Sequence, residues 1–412
     1  MNLEPVLKAL ADALHGDGPA VQLQPGATPG ADPVLTLIPQ EELALGFGGA
    51  LDGEIAAVVA TSGSTGTPKR TMLSVDALAA SSVGTAMALG GEGQWLLALP
   101  VHYVAGLQVL VRSLFAGTRP WAMDLSNGFT PEAFTEAAGE LTDKLRYTSL
   151  VPTQLARLLE DPSVETLSAL RRFNAVLLGG APASRALLDA ARDAGVRVVT
   201  TYGMSETSGG CVYDGVPLEG VQVSVRDGRV WLGGDVVAAG YLSAPTLTAA
   251  SFTDEDSQDG PVRWYQTGDL GQFDADGRLD VLGRADDVII TGGLKVAAHA
   301  VAEALTALPG VREAFVAGVE DTQWGQRVAA AVVPDGSTGP LSAAEVKAAF
   351  KEAVKAAATA AMEPHTVPKT LLVLDELPLL ASGKPDRKAL AALLAAGAAD
   401  NAETTSNPSE GA

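Results

Sequence analysis

Cysteine is almost absent: Cys211 stands alone among 412 residues. One thiol cannot form an intrachain disulfide, and a cysteine-rich metal site is excluded. Basic residues are scarce too, 28 against 49 acidic ones, for a formal charge of -21. That balance argues against non-specific binding to nucleic acid or to an anionic membrane surface. Aromatics make up only 5%. No run approaches the ~18 apolar residues of a membrane span. The N-terminus lacks a basic segment followed by an apolar stretch, so no secretory signal is read and a cytoplasmic protein is expected. The hydrophobic share is nonetheless 47%. It is mostly Ala, Val and Leu, which suits ordinary helices and buried strands in two or three domains.

Hydroxyls and glycines gather in Thr61-Ser62-Gly63-Ser64-Thr65-Gly66-Thr67-Pro68-Lys69. The stretch follows Glu54-Ile55-Ala56-Ala57-Val58-Val59-Ala60, an apolar run that reads as a buried strand. Backbone N–H groups, hydroxyls and the Lys69 ammonium can donate to phosphate oxygens, and glycine lets the backbone come close. The same residues also suit a plain exposed turn. A Walker A loop is excluded, because Gly63 and Gly66 stand too close together and Arg70 follows Lys69.

Around this loop the patterns predict an α/β organisation. Residues 3–14 read as an amphipathic helix and 16–33 as a Gly/Pro-rich connector. Residues 74–89 read as a helix, with Ser74 as N-cap and Gly90-Gly91 at its end. Strands at 95–99, 147–149, 175–178 and 196–200 alternate with helices at 153–160 and 184–194. Such alternation implies a largely parallel sheet with helices on its faces. Past residue 215, short strands at 222–225, 229–232 and 277–282 with Gly and Asp turns predict a small antiparallel β subdomain. Residues 254–260 read as an acidic surface loop. A boundary near 283–288 separates a large N-terminal domain, 1–283, from a small mobile α+β C-terminal domain, 284–397. The latter reads as a helix at 297–308, strands at 311–319 and 328–333, a helix at 342–358, a strand at 370–374 and a helix starting near Arg387. Residues 398–412 read as a disordered tail.

Further motifs follow in order. They are Leu178-Gly179-Gly180-Ala181-Pro182, Thr201-Tyr202-Gly203-Met204-Ser205-Glu206-Thr207 and Tyr265-Gln266-Thr267-Gly268-Asp269. Gly283-Arg284-Ala285-Asp286-Asp287-Val288-Ile289-Ile290-Thr291-Gly292-Gly293 and Ser382-Gly383-Lys384-Pro385 come next. Together with the hydroxyl-glycine loop they closely resemble the core motifs of the adenylate-forming superfamily, over residues 55 to about 395. The resemblance implies a carboxylate attacking the α-phosphorus of ATP, pyrophosphate leaving, and the thiol of coenzyme A then displacing AMP.

It also implies roles for single residues. Thr61 to Lys69 would hold the β- and γ-phosphates. Glu206 would be the Mg²⁺ ligand, a hard oxygen for a hard cation. Gly179, Gly180, Ala181 and Tyr202 would wall the adenine slot, with Thr201, Gly203, Met204 and Ser205 completing the AMP site. Asp269 would accept hydrogen bonds from both ribose hydroxyls, and Arg284 would contact the ribose-phosphate. Lys384 would bridge the carboxylate and the α-phosphate. Asp286 matches the hinge about which the C-terminal domain turns. That turn brings Gly292, Gly293 and Lys295 to the pantetheine path.

The acid is addressed by Pro100-Val101-His102-Tyr103-Val104-Ala105-Gly106-Leu107, which resembles the Pro-x-x-His-x-x-Gly type of segment. Either His102 or Tyr103 is the gating ring. Arg112 follows in an otherwise apolar helix, where it either snorkels at the helix edge or reads a second carboxylate. Residues 203–215 resemble the actinobacterial o-succinylbenzoate–CoA ligases of menaquinone biosynthesis. There an arginine at the place of Arg112 helps hold the aromatic carboxylate, while the succinyl carboxylate is activated. Ser208, Gly209 and Thr153 would border the pocket, and Cys211 would be a packing residue. The alternatives are another aryl- or acyl-CoA ligase, or a domain that loads a carrier protein. Leu379-Leu380-Ala381 departs from the polar pair found before the lysine in many relatives. The partners implied are a small carboxylate, ATP, Mg²⁺ and coenzyme A. A homodimer is compatible with the reading.

Overall fold

A computed structural model describes residues 2–28, 31–47, 53–61, 68–258, 260–336, 341–356, 364–380 and 385–405, with side chains to residue 398. The chain opens as helix α1 (Glu4–Leu14), amphipathic as its spacing predicts, with Val6, Leu10 and Ala13 buried. Strands β1 (Ala20–Gln24) and β2 (Val34–Ile38) and helix α2 (Gln40–Phe47) follow. The expected connector at 16–33 thus contains a strand. β1 buries Ala20, Val21 and Leu23 and pairs in parallel with β3 (Ile55–Thr61), so distant pairing makes a strand where local composition reads as loop.

β3 and β4 (Lys69–Ser74) form an antiparallel hairpin in which Thr61 stands opposite Lys69. The hydroxyl-glycine loop therefore closes a hairpin, and its residues 62–67 lie outside the described residues. Helix α3 (Val75–Leu89) starts where the Ser74 hydroxyl accepts the Ala77 N–H at 3.1 Å. It stops at Gly90, whose φ of 87° is cheap only for glycine.

The alternating region gives β5 (Gln94–Leu97), α4 (Val104–Phe115), β6 (Trp121–Ala122), α5 (Pro131–Gly139) and β7 (Arg146–Leu150). Then come α6 (Pro152–Leu159), α7 (Val164–Arg171), β8 (Ala175–Leu178), α8 (Arg185–Asp193) and β9 (Val198–Met204). β10 (Gly209–Tyr213) and β11 (Val216–Pro217) turn back, giving a sheet ordered β11-β10-β9-β8-β7-β5-β6. Its core from β6 to β9 is parallel, and its β10–β11 edge is antiparallel. Leu96, Leu150, Val176 and Leu178 pack with α5 to α8 in one core.

β12 (Val221–Arg226), β13 (Arg229–Gly234), β14 (Gly240–Tyr241), α9 (Pro245–Ser251), β15 (Phe252–Ser257), β16 (Gly260–Phe273) and β17 (Leu279–Arg284) complete the middle of the chain. The small antiparallel sheet is ordered β12-β13-β16-β15, with β17 on β16. The expected acidic loop at 254–260 is instead largely β15. Its charges are matched: Glu255 takes both Nη atoms of Arg226, and Asp254 takes Arg263. β14 leaves this region and joins a second mixed sheet, ordered β14-β4-β3-β1-β2.

The C-terminal elements are β18 (Val288–Thr291), β19 (Leu294–Ala297), α10 (Ala298–Thr306), β20 (Val311–Asp321), β21 (Gly325–Pro334), α11 (Ala343–Ala356), β22 (Thr370–Val373) and α12 (Arg387–Thr405). The β18–β19 hairpin was not foreseen. β21 is buried on both sides by alternation. Val328, Ala330 and Val332 face α10 and α11, while Ala329, Ala331 and Val333 face α12. The Ala-rich α12 runs past residue 397, where a tail was expected, in keeping with alanine's helix propensity.

The chain divides into two compact units. One holds Met1–Ala183, Leu187–Thr267 and Phe273–Asp280; the other holds Ser184–Ala186, Gly268–Gln272 and Val281–Ala412. Among the described residues no helix is long and apolar enough to cross a membrane.

Candidate active site

The parallel strands of the first unit end on one edge, the usual place for ligands in such sheets. β5 runs into His102 and Tyr103, whose rings lie 4.2 Å apart between centroids. Tyr103 is the N-cap residue of α4, and Thr153 lies in the first turn of α6 after β7. β8 leads into Gly179-Gly180-Ala181. A Cβ on Gly179 would collide with the Thr201 hydroxyl, so this glycine is fixed by the approach of β9. Gly180 has a φ of 82°. β9 itself carries Thr201 to Met204, longer than the sequence predicts, and the helical turn Ser205–Thr207 caps it with Glu206.

Glu206 is 7% exposed and accepts the hydroxyl of Tyr241 at 2.7 Å. Tyr241 is fully buried on β14, which pairs with β4. The Lys69 ammonium lies 5.3 Å from the centre of the same ring. The structure thus brings Glu206, from one sheet, together with Lys69, from the other, with Tyr241 between them. Burial first, and then the Glu206 carboxylate, hold the Tyr241 phenol far above its usual range, so it stays a donor. Tyr241 is a functional candidate the sequence reading missed. Its signal is slight: an aromatic in a two-residue strand after Gly240, which could carry no Cβ beside Thr248 and Phe47.

A second group lines the seam between α3, α4 and β10. Arg112 is 7% exposed, which removes the snorkelling alternative. Its Nη2 donates to Tyr213 Oη at 3.4 Å, and its guanidinium lies 5.1 Å from the Trp95 ring centre. Tyr213 is in turn 2.9 Å from the Thr85 hydroxyl. No described carboxylate pairs with Arg112, and its Nε has no hydrogen-bond partner among the described residues. A cavity of about 20 Å³ borders it, room for one water. One turn earlier, Gln108 Nε2 donates to Ser208 O at 2.5 Å. Gln108 was also missed, although Gln108 and Arg112 share one face of an apolar helix four residues apart. Ser208 is buried with its hydroxyl on Val236 O, and Gly209 lies against Val104 and Gln108. His102 is half-buried and its Nε2 is without a partner among the described residues; burial lowers its pKa and favours the neutral ring. Cys211 is fully buried, with its thiol pushed up to about 12 by desolvation, consistent with packing.

In the second unit, Arg284 forks onto Asp286 with bonds of 2.9 and 3.0 Å and lies 3.8 Å from Asp269. Its guanidinium covers Gly268, where a Cβ would stand 2.8 Å away. Asp287 pairs with Arg387 of α12. Gly292 and Gly293 form the turn of the β18–β19 hairpin. Gly292 lies under the Trp324 ring, whereas Gly293 faces open space; Lys295 is exposed on β19. Ser62, Gly63, Ser64, Thr65, Gly66, Thr67 and Lys384 lie outside the described residues.

The family of AMP-binding enzymes matches residues 49–242, and the AMP-binding enzyme C-terminal domain matches 300–384. The chain is 44% identical over 369 residues to a probable 2-succinylbenzoate–CoA ligase of Mycobacterium tuberculosis H37Rv, covering 88% of this chain and 91% of that one. It is 31% identical to the 2-succinylbenzoate–CoA ligase of Geobacillus kaustophilus, covering 93% and 76%. Among solved structures it superposes on the o-succinylbenzoate CoA synthetase MenE of Bacillus subtilis in complex with the acyl-adenylate OSB-AMP. That match has a TM-score of 0.67 and 30% identity, over 83% of this chain and 69% of that one. ATP-bound MatB of Rhodopseudomonas palustris matches with a TM-score of 0.69 and 28% identity, over 83% and 68%. The fold, the ordered motifs and these relatives place the chain in the adenylate-forming family of AMP-binding enzymes.

Proposed function

We propose that this chain is an AMP-forming acid–thiol ligase that activates 2-succinylbenzoate with ATP and passes the acyl group to coenzyme A, in menaquinone synthesis. Arg112 carries the substrate choice. A buried guanidinium without a carboxylate is costly unless a ligand supplies one, and the acid reading supplies an aryl carboxylate. Eight residues of α4 separate Val104 from Arg112, or ~12 Å of helix. The two carboxyl carbons of the acid are only six bonds apart, shorter than that rise, so with one carboxylate by His102 and Tyr103 the Arg112 side chain must reach back along α4 to meet the other. The cavity of about 20 Å³ at Arg112, lined also by Leu89, Trp95 and Phe115, has room for about one water and is not the acid pocket itself.

In the first step an oxygen of the succinyl carboxylate bonds to the α-phosphorus and the bond to pyrophosphate breaks. Thr61 and Lys69 hold the departing phosphates. Glu206 fits Mg²⁺: this ion is commonly held by one or two carboxylates plus substrate phosphates, and no described cluster of three ligands offers a protein-only cage. When bound, Mg²⁺ offsets charge on the phosphates. Tyr241 holds one Glu206 oxygen and so fixes where the other points. Gly179, Gly180, Ala181 and Tyr202 receive the adenine, Asp269 the ribose and Arg284 the ribose-phosphate. Lys384 bridges the carboxylate and the α-phosphate. In the second step the coenzyme A thiolate attacks the acyl carbon and AMP leaves, after the C-terminal domain turns about Asp286 and presents Gly293 and Lys295. The protein acts in the cytoplasm, as a homodimer or alone.

The test is release of AMP and pyrophosphate, dependent on ATP and coenzyme A, with 2-succinylbenzoate, benzoate, 4-coumarate and a medium-chain fatty acid. Turnover confined to 2-succinylbenzoate is expected. Turnover spread over the monocarboxylates keeps the chemistry and removes the role given to Arg112.

A further inference from the structure

The Glu206 carboxylate hangs on a three-residue turn, and that turn is held from outside. Ser208, which ends it, has a φ of 53°, a left-handed conformation unusual for a residue with a Cβ. Its N–H donates to Ser205 O at 3.2 Å and its hydroxyl to Val236 O at 2.9 Å. Two donors converge on its carbonyl. Gln108 Nε2 of α4 stands at 2.5 Å and Ser81 Oγ of α3 at 3.3 Å. All three residues are buried, and Gln108 is only 1% exposed. Gly209 comes next with a φ of 98°, and a Cβ there would stand 3.4 Å from Gln108 Cγ. That contact is an ordinary one, and it is the positive φ that calls for glycine here.

We propose that Gln108 is a positioning residue for Glu206: by fixing the Ser208 carbonyl it sets where the turn presents that carboxylate to the Mg²⁺–ATP complex. The inference rests on the ligase reading above. Arg112 follows Gln108 on the same face of α4, one turn on. Gln108 touches neither phosphate nor metal, and it acts through the turn alone. A buried bond to a strained backbone is the kind of support a catalytic carboxylate needs, since a misplacement of about 1 Å costs on the order of 100-fold in rate.

The experiment uses the full chain with Gln108→Met, which keeps the length and removes the donor. Calorimetry of ATP binding, with magnesium and with EDTA, is run without any acid. Steady-state adenylation is then followed by pyrophosphate release with the acid that the wild type turns over best. The variant is expected to lose most of the magnesium-dependent gain in ATP affinity. Its kcat should fall about 10- to 100-fold, with the KM for the acid nearly unchanged, the mark of an interaction that matters in the transition state. Gln108→Asn keeps the amide on a shorter stem and should recover part of both. If Gln108→Met does not fold, Gln108→Asn carries the test by the same two readouts. Magnesium-dependent ATP binding equal to wild type, or a loss of rate that only follows the loss of folded protein, overturns the proposal. Failure of the wild type on every acid instead overturns the ligase reading, and calorimetry without acid still judges Gln108.

Discussion

Tyr241→Phe removes one oxygen and little else. The ring keeps its packing against Phe252, 5.4 Å between centroids, and stays under Lys69. What is lost is chiefly the 2.7 Å bond to Glu206, between a fully buried donor and a carboxylate that is 7% exposed, together with the hydroxyl's contact with Tyr265. A hydrogen bond to a charged group contributes about 1.5–3 kcal/mol. Burial leaves no water to replace it, so the upper half of that range is expected near pH 8. The pH dependence gives a second signature. In the folded chain the Tyr241 phenol is held above its ordinary value, by burial first and then by Glu206. Its contribution is therefore complete below the unfolded value of about 10 and is lost as pH rises beyond it. Above that point the gap between wild type and Tyr241→Phe should shrink by about 1.4 kcal/mol per pH unit. Urea unfolding followed by tryptophan fluorescence measures this. In a Trp324→Phe background the remaining tryptophans, at 95, 121, 231 and 264, all lie in the first unit. A cost at pH 8 within about 0.5 kcal/mol, the range of neutral surface changes, refutes the reasoning. So does a gap that stays constant above pH 10.

Three further outcomes are expected. Arg112→Ala should raise the KM for 2-succinylbenzoate by about 10- to 100-fold, as loss of a charge-assisted contact requires, while the KM for ATP moves little; equal shifts would make Arg112 structural. Lys384→Ala should abolish adenylation yet leave thioester formation from supplied acyl-adenylate largely intact, as read by separate half-reaction assays, and equal loss of both rejects its role. Cys211, buried and with its thiol pushed up to about 12, should resist a thiol reagent at pH 8 in the folded chain and react fully once unfolded; fast native labelling contradicts the packing assignment.

Much of the fold is written locally. Ser74 and Gly90 mark both ends of α3 in the sequence, because capping depends on the residues themselves. The apolar run of β8 reads correctly because both faces of a parallel strand are buried. β1 and β15 were hidden for the opposite reason. β1 lies among glycines and prolines and exists through its pairing with β2 and β3. β15 is acidic and needs Arg226 from the more distant β12 as well as Arg263 from the neighbouring β16. The site shows the same division. Glu206 and Lys69 stand in legible motifs. Tyr241, which joins them, and Gln108, which holds the turn, act through contacts 35 and 100 residues away, and no local pattern records those.

The fork between Arg284 and Asp286 bears on how the proposed hinge can work. Arg284 would serve the ribose-phosphate, and Asp286 would be the pivot, yet here they hold each other through Nε and Nη2. The Arg284 hydrogen bond is the first cause holding the Asp286 carboxyl below its usual range. Both side chains are about half exposed, at 46% and 58%. An exposed pair of this kind contributes about 0–1 kcal/mol, far too little to lock a domain. The guanidinium also keeps Nη1 outside the fork, so it can reach a phosphate oxygen without releasing Asp286. The fork therefore orders the segment between the two proposed roles without fixing it. Turning about Asp286 has to break one solvent-screened contact, while the packing of Arg387 on Asp287 and Phe315 lies on one side of that pivot and turns with it.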